Sequence, residues 1–227
     1  MYKNIKLFKK SENLKNKFSQ VSIEKKLQNN KLIPLGIDEV IKYADSFPIL
    51  ISTNEQNEFI LYAGLVANKN MFTEYKNIEE PNFLKNYPFL MIKAKKDDKL
   101  IDIIAYDESE EFIGKDKDIS FFNEDKLSNK ANEKIQNVKL LATKRNLARI
   151  LIQELKQKDL LIKQSFNIKI NGEEKMILKD YYIINRTKLC ELDDKTISTW
   201  AKNGWIGLID AHIYSLRNFQ KIVDIIK

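Results

Sequence analysis

The residues best suited to acid–base or nucleophilic chemistry lie near the C-terminus. His212 is the only histidine of the chain, and Ser215 follows three residues later. Residues three or four apart share one face of a helix, so the two could act as general base and nucleophile if another group oriented the imidazole. Asp210 is the nearest carboxylate in sequence. These three residues form the candidate catalytic site.

A structural role is the competing interpretation of the same segment. The serine does not lie in a strand-to-helix elbow, and no oxyanion hole can be identified. In this interpretation His212 and Asn218 hydrogen-bond neighbouring carbonyls, while Trp200, Trp205 and Leu216 pack in the core. The sequence favours this role over catalysis.

The residue types needed for a metal or cofactor site are scarce. The chain has one histidine and one cysteine, without Cys-x-x-Cys or His-x-x-x-His spacing. It also lacks a dinucleotide fingerprint and a phosphate-binding loop. We expect no metal and no cofactor. Cys190 is flanked by apolar residues, which predicts an inert core thiol, and the acidic run 107–111 is predicted to be a solvated loop.

Aromatic residues and prolines alternate between residues 70 and 89. Aromatic side chains bounded by prolines can form a groove for an extended peptide or a partner strand. The alternative is that they fill the core beneath a loop. Together with two residues of the C-terminal segment, the candidate binding residues are Phe72, Tyr75, Phe83, Tyr87, Phe89, Trp205 and Asn218.

Composition places the chain among soluble globular proteins. It has 227 residues, of which 43% are hydrophobic and 31% charged. No apolar run approaches the roughly 18–20 residues of a membrane helix, and the N-terminus has no uninterrupted apolar stretch of the kind that a secretory signal needs. We therefore expect a cytoplasmic protein, with contact at a membrane surface as an open alternative.

The net charge is +7, from 39 Lys+Arg and 32 Asp+Glu. Most basic residues are lysines interspersed with acidic residues, whereas a nucleic-acid surface favours clustered arginine. We therefore predict no nucleic-acid partner. Lys144, Arg145 and Arg149 form a basic stripe, which is predicted to be solvated or paired with acidic residues.

Periodicity predicts an α+β fold: a single domain with short, mostly antiparallel strands, one long central helix, a β-hairpin and a helical C-terminal lobe. Residues 1–30 are predicted to be a basic N-terminal arm, flexible or partly docked, and residues 31–227 the domain. Expected hairpins join 49–51 to 59–66 and 161–170 to 175–184, the latter around Asn171-Gly172. Two further strands are predicted at 89–94 and 100–106, separated by the charged turn 95–99. The long helix is predicted within 123–159, with Leu140, Leu141, Leu147, Ile150, Leu151 and Leu155 on its apolar face.

Two motifs carry a family resemblance. They are Pro-x-Phe-Leu-x-x-Tyr-Pro-Phe at 81–89 and Ala-His-x-x-Ser-Leu-x-Asn at 211–218. From about residue 31 to the end the chain resembles the bacterial SapC family, known from the surface-layer (S-layer) locus of Campylobacter, and not the peptide-transporter permease of the same name. Family members usually carry arginine where this chain has Lys85-Asn86.

The resemblance implies a non-catalytic accessory protein that handles, secretes or assembles S-layer protein by binding a protein or peptide. The expected partner is the S-layer subunit or its secretion machinery. The alternative is an enzyme, or an enzyme subunit, of a protein, peptide or glycan modification system with His212 as its acid/base. The sequence leaves the oligomeric state open.

Overall fold

The computed structural model describes residues 2–27, 32–53, 57–62, 65–66, 69–74, 78–97, 99–170 and 172–226. Helices and antiparallel sheets make up these residues, so the predicted α+β class is confirmed. The chain divides into two compact units, each built from two separate segments. We call residues 1–30 with 79–143 the first unit, and residues 31–78 with 144–227 the second unit.

The elements are numbered in chain order. The strands are β1 (Ile5–Leu7), β2 (Lys17–Phe18), β3 (Leu32–Pro34), β4 (Ile49–Ser52), β5 (Glu58–Tyr62), β6 (Leu65–Val66), β7 (Lys69–Asn70), β8 (Phe89–Lys96), β9 (Lys99–Asp107), β10 (Ile113–Gly114), β11 (Ile119–Ser120), β12 (Phe122–Asn123), β13 (Lys126–Leu127), β14 (Leu161–Ile170) and β15 (Glu173–Ile184). The helices are α1 (Lys10–Asn13), α2 (Ile23–Leu27), α3 (Glu39–Tyr43), α4 (Met71–Glu74), α5 (Asn82–Lys85), α6 (Asn129–Gln157), α7 (Arg186–Leu189), α8 (Asp194–Lys202), α9 (Trp205–Ser215) and α10 (Phe219–Ile226), with a 3-10 turn at Leu216–Asn218.

The first unit is built around a three-stranded antiparallel sheet in the order β1-β9-β8. The two strands predicted at 89–94 and 100–106 are present as β8 and β9, and they pair as a hairpin with Phe89 opposite Tyr106. Both side chains pack in an aromatic core with Phe18 and Phe121. Helix α6 closes this core with Ala131, Ile135 and Val138, which follow three- and four-residue spacing.

The described part of the N-terminal segment is built into the first unit. Strand β1 pairs with β9, and Phe18 is 1% exposed in the aromatic core. The completely buried Asp107 accepts hydrogen bonds from the backbone N–H groups of Lys3 and Asn4, at 3.2 and 3.1 Å. Residues 2–27 therefore have partners elsewhere in this unit, while the division of the chain at residue 30 into arm and domain stays a prediction.

The second unit contains a five-stranded sheet in the order β14-β15-β4-β5-β3, in which every pair is antiparallel. Both predicted hairpins are confirmed: β4 pairs with β5, and β14 pairs with β15. Gly172 has a φ of +87°, the left-handed conformation that favours glycine in a tight turn. Asn171, the other predicted turn residue, lies outside the described residues.

Helix α6 is the long predicted helix, 29 residues in length. It begins at Asn129 rather than near residue 123, because the Ser128 hydroxyl caps it by accepting a hydrogen bond from the backbone N–H of Ala131 at 3.2 Å. Of the predicted apolar face, Leu141, Leu151 and Leu155 are buried, but Leu140, Leu147 and Ile150 are 55%, 45% and 50% exposed. The buried face is therefore rotated relative to the predicted one, and Ala148 and Ile152 belong to it.

The basic stripe of α6 pairs with acidic side chains, as predicted. Glu58 on β5 is buried and accepts from Arg145 Nε at 2.9 Å and from Arg149 Nη2 at 3.4 Å. The Lys144 ammonium lies 3.8 Å from the Asp38 carboxylate. These contacts fix the C-terminal half of α6 to the strand and loop beside it in the second unit.

The C-terminal segment is a helix, a glycine turn and further helices, as predicted. Gly204 has a φ of +73° between α8 and α9, and α10 follows the short 3-10 turn. Helix α9 packs against α3, β4 and β15. Through these contacts the face of α9 that carries His212 and Ser215 is turned into the core. None of the helices in the described ranges is both long and apolar enough to cross a membrane.

Candidate functional site

His212 is a core residue. Its side chain is 0% exposed, and Nε2 accepts a hydrogen bond from the backbone N–H of Ile184 at 3.2 Å. Burial lowers the pKa of His212 to about 4, and a backbone interaction with Ile49 opposes this shift without reversing it. The imidazole is therefore neutral at neutral pH, and the nitrogen that would accept a proton is already bonded within the sheet.

Ser215 is also bonded to backbone groups. Its hydroxyl donates to the carbonyl of His212 at 2.6 Å and accepts from the N–H of Ile49 at 2.9 Å. The only proton of the hydroxyl is thus used within the helix, and no side-chain hydrogen bond joins serine and histidine. Asp210 is exposed on another face of α9. The structure does not assemble the three candidate catalytic residues into a triad.

Asn218 follows the structural interpretation. It is 1% exposed, and Nδ2 donates to the carbonyls of Ala44 at 2.7 Å and Phe47 at 3.2 Å. The three polar residues of the 211–218 motif therefore each satisfy buried backbone groups in the second unit. Because an unpaired buried backbone group costs free energy, the motif has a sufficient structural explanation.

The candidate binding aromatics are mostly core residues. Phe72 packs in the second unit with its ring 4.4 Å from that of Phe47. Phe89 is completely buried in the first unit, where Tyr87 is 5% exposed. The hydroxyl of Tyr87 donates to Asp107 at 3.2 Å, and burial followed by the charge of that carboxylate raises the pKa of the phenol.

The remaining candidate binding residues are scattered. Phe83 is half-buried in the first unit, and Trp205 is half-buried in the second with its ring 6.0 Å from that of Trp200. Tyr75 lies outside the described residues. The side chains of Phe72, Tyr87 and Phe89 thus fill cores, as the competing interpretation expected, rather than lining an open groove.

Two further predictions are wrong. Cys190 is exposed rather than in the core, because it lies at the C-terminal end of the short helix α7. Asp107 is completely buried rather than in a solvated loop, because it ends β9 and accepts from the N-terminal backbone, from Tyr87 and from Ser109. In the parts of the chain that the structure describes, no cluster of three or more His, Cys, Asp or Glu could hold a metal ion.

The first unit contains a polar cavity of about 220 Å³. Segments before β8, around α2 and along α6 contribute to its walls. The charged and amide side chains among its lining residues include Lys26, Glu80, Lys85, Asn86, Lys130 and Lys134. Cationic and amide donors thus converge on one concave surface, as in sites for charged ligands.

Three of the four lysines that line the cavity are paired with carboxylates, as Lys26 with Glu80 at 2.6 Å, Lys130 with Glu133 at 3.1 Å, and Lys85 with Glu79. The fourth, Lys134, donates to the backbone carbonyl of Lys85 and has no carboxylate within ion-pair distance among the described residues. It is the cavity's unpaired cation.

The surroundings of Lys134 make its charge costly. Its pKa is lowered to about 8, chiefly by burial and also by the neighbouring Lys26 and Lys130, while Glu80 and Glu133 act in the opposite direction. Asn86, which follows the carbonyl that Lys134 contacts, is 2% exposed, and its Nδ2 has no hydrogen-bond partner in the described structure. A charged residue and a residue with an unused, buried amide donor therefore line the same cavity.

Sequence reasoning missed this cavity, although one signal was present. Lys134 lies between Ala131 and Val138 and next to Ile135, within the apolar stripe of α6. A lysine in such a stripe is a buried cation that needs a partner. The residues around it could not be found from sequence, because Lys26, Glu80 and Asn86 come from distant segments.

Comparison with known proteins identifies a family. The model of the SapC family matches residues 13–222, which include both the cavity lining and the 211–218 motif. No curated protein sequence and no solved structure matches the chain at a significant level. A match that spans nearly the whole chain shows the family: the protein belongs to the SapC family.

Proposed function

We propose that this SapC protein is a non-catalytic, cytoplasmic accessory protein in S-layer protein handling, secretion or assembly. It acts by binding a protein or peptide, and its partner is the S-layer subunit or the secretion machinery of that subunit. Family membership supports the link to the S-layer, as the motifs at 81–89 and 211–218 implied. The observation that carries the binding role is the cavity of the first unit, with its unpaired cation and unused amide donor.

A binding role agrees with the chemistry of this cavity. Its walls present lysine ammonium groups, amides and carboxylates, which are groups that hold a charged segment of a partner in place. Most of the lysines already have carboxylate partners, so the surface is a mixed polar one and not a single-sign field of the kind that binds nucleic acid.

The alternative, an enzyme of protein, peptide or glycan modification, requires His212 to reach a substrate. The side chain is completely buried, and its Nε2 is bonded to Ile184. Ser215, the proposed nucleophile, uses its proton on a helix carbonyl. No observation in the described residues therefore favours catalysis at this position over binding at the cavity.

Capture of partners from the native cell tests the proposal. The tagged protein is purified at physiological salt, and bound proteins are identified by mass spectrometry. We compare the wild type with Lys134→Gln, which removes the unpaired charge, and with Lys139→Gln, which makes the same change on the exposed part of the same helix.

We expect the S-layer subunit or an export component in the wild-type and Lys139→Gln samples, and several-fold less of it with Lys134→Gln. Recovery of a modifying enzyme in place of these proteins would contradict the accessory role. Equal recovery of the partner by all three proteins would instead contradict the cavity as its binding site.

A further inference from the structure

The cavity of the first unit has a charge balance that points to one class of ligand. Its lining lysines other than Lys134 are neutralised by Glu80, Glu133 and Glu79. One positive charge is left over, together with the unpartnered Nδ2 of Asn86. We infer that the cavity binds a carboxylate group, held by the ammonium of Lys134 and the amide of Asn86.

The geometry brings the two donors together. Lys134 Nζ donates to the carbonyl of Lys85, and the next residue along the chain is Asn86. Both side chains line the same cavity. An ammonium has three donors, so the bond to the carbonyl leaves two for a ligand. A carboxylate with two oxygens can accept from the ammonium and from the amide at once.

The chemistry favours a carboxylate over a phosphate. A carboxylate carries a single negative charge, which matches the single unpaired cation. A phosphate carries up to two negative charges near neutral pH, and its second charge would lie beside Glu80 and Glu133 in the same cavity. A volume of about 220 Å³ also suits a compact group, such as a chain terminus or an acidic side chain, better than an extended ligand.

Protonation of Lys134 controls this binding. The carboxylate binds the protonated amine, so it raises the pKa of Lys134 from about 8 and counteracts the effects of burial and of Lys26 and Lys130, while Glu80 and Glu133 compete with it for the cation. Binding is therefore strongest below pH 8. It weakens by about tenfold per pH unit above that value, as the charge is lost.

The test uses the purified full-length protein with ¹³C-labelled lysine. The signal of Lys134 is assigned by its loss in Lys134→Gln and is followed by NMR during titration with acetate. Further titrations use a short peptide with a free C-terminal carboxylate, the same peptide amidated, and inorganic phosphate. We expect saturable shifts of the Lys134 signal with acetate and with the free-carboxylate peptide, and a raised pKa in their presence.

Variants separate the site from general charge effects. Acetate binding to each variant is measured by isothermal titration calorimetry, which does not depend on the Lys134 signal. Because the charged hydrogen bond is lost, Lys134→Gln should weaken acetate binding by about tenfold or more, whereas Lys139→Gln should leave it unchanged. If Lys134→Gln fails to fold, Asn86→Asp serves in its place. This near-isosteric change puts a permanent carboxylate in the cavity, and it should abolish acetate binding and raise the pKa of Lys134 without any ligand.

The outcomes decide the assignment. Absence of saturable carboxylate binding to the wild type, an equal loss with Lys139→Gln, or saturation by phosphate alone would each overturn it. A response to acetate without one to the peptide would support the site for a free carboxylate and exclude a chain terminus. This inference rests on the proposed function only for the source of the carboxylate. Binding of acetate without capture of an S-layer partner would therefore refute the proposed function but support the carboxylate site.

Discussion

At the scale of single residues, burial acts on two bases with different results. His212 is neutral, because its pKa of about 4 lies well below neutrality and a backbone N–H supplies its partner. Lys134 keeps its charge at neutral pH, because its pKa is lowered only to about 8. The neutral histidine needs no counter-ion, although its buried Nδ1 has no hydrogen-bond partner in the described structure, whereas the charged lysine still lacks a counter-ion.

His212 gives the first prediction at this scale. The pKa in the folded protein lies below the ordinary value of 6.5, so the unfolded chain binds the proton first as the pH falls. The stabilising contribution is complete above pH 6.5 and is lost as the pH falls towards 4. Between pH 7 and pH 4 this one group should lower the free energy of unfolding by about 3 kcal/mol.

Urea unfolding of the wild type and of His212→Gln at pH 7, 6, 5 and 4 measures the effect. The carboxylates are common to both proteins, so the difference between the two pH profiles reports the histidine. Glutamine can still accept from Ile184 but does not titrate, and its profile should be flatter. Parallel profiles would contradict the prediction and indicate an imidazole in contact with solvent.

The roles of these residues could be predicted only in part. Spacing correctly placed His212 and Ser215 on one helix and suggested that Asn218 bonds to carbonyls. It could not show whether that face meets solvent or the sheet, because the partners Ile184 and Ile49 are remote in sequence. Cys190 was misplaced for the same reason: apolar neighbours in sequence do not determine burial at a helix end.

At the scale of elements, the local prediction succeeded where turn chemistry decides the structure. The hairpins β4–β5, β8–β9 and β14–β15 and the glycine turn between α8 and α9 follow from glycines, charged turns and apolar alternation. Short strands such as β2, β10 and β11 were missed. They contain two residues each and pair across long separations, so no local pattern marks them.

Replacement of either of two glycines in or next to α9 by alanine should change the stability of the protein, in opposite directions. Gly204 has a φ of +73°, and an added Cβ would meet nothing within 4 Å, so Gly204→Ala should cost about 1 kcal/mol through backbone strain alone. Gly207 is helical, and its Cβ would also meet nothing within 4 Å. Gly207→Ala should therefore stabilise the protein by about 0.5–1 kcal/mol.

Thermal unfolding of the two variants beside the wild type checks this pair. They make the same change only three positions apart, so a general effect of the added methyl group would act on both alike. A fall in melting temperature for both variants would mean that helix propensity does not govern Gly207. An unchanged melting temperature for Gly204→Ala would mean that the turn relaxes to a negative φ.

At the scale of the molecule, the main feature is that each unit is built from two separate segments of the chain, and that helix α6 contributes residues to both units. Helix α6 supplies Ala131, Ile135 and Val138 to the core of the first unit. Its later residues Leu151 and Leu155 are buried in the second. Sequence reasoning could not find this arrangement, since no composition change or linker marks the points where the chain passes from one unit to the other.

We predict that the two units unfold together, because loss of either core leaves half of α6 without its packing. Both tryptophans lie in the second unit, so their fluorescence reports that unit alone. Phe121→Ala removes a completely buried ring from the first unit and should cost about 3–5 kcal/mol.

The measurement compares urea unfolding followed by tryptophan fluorescence and by circular dichroism. In the variant, both transitions should move to lower urea concentration and coincide. Trp200→Phe, a change confined to the second unit, serves as the reciprocal control, with circular dichroism as its readout. A fluorescence transition that stays at the wild-type position in Phe121→Ala would show that the units unfold independently.

The division of each unit into two chain segments also sets the order in which the units can fold during synthesis on the ribosome. Both pieces of the first unit are present once residue 143 has emerged, whereas the second unit waits for residues 144–227. During that interval β3, β4 and β5 can pair with one another, but one edge of β4 waits for β15, whose Tyr182 lies opposite Ile51. The nascent chain thus exposes an unpaired, apolar strand edge until β15 has emerged, and during that time the edge is open to wrong pairing with other chains.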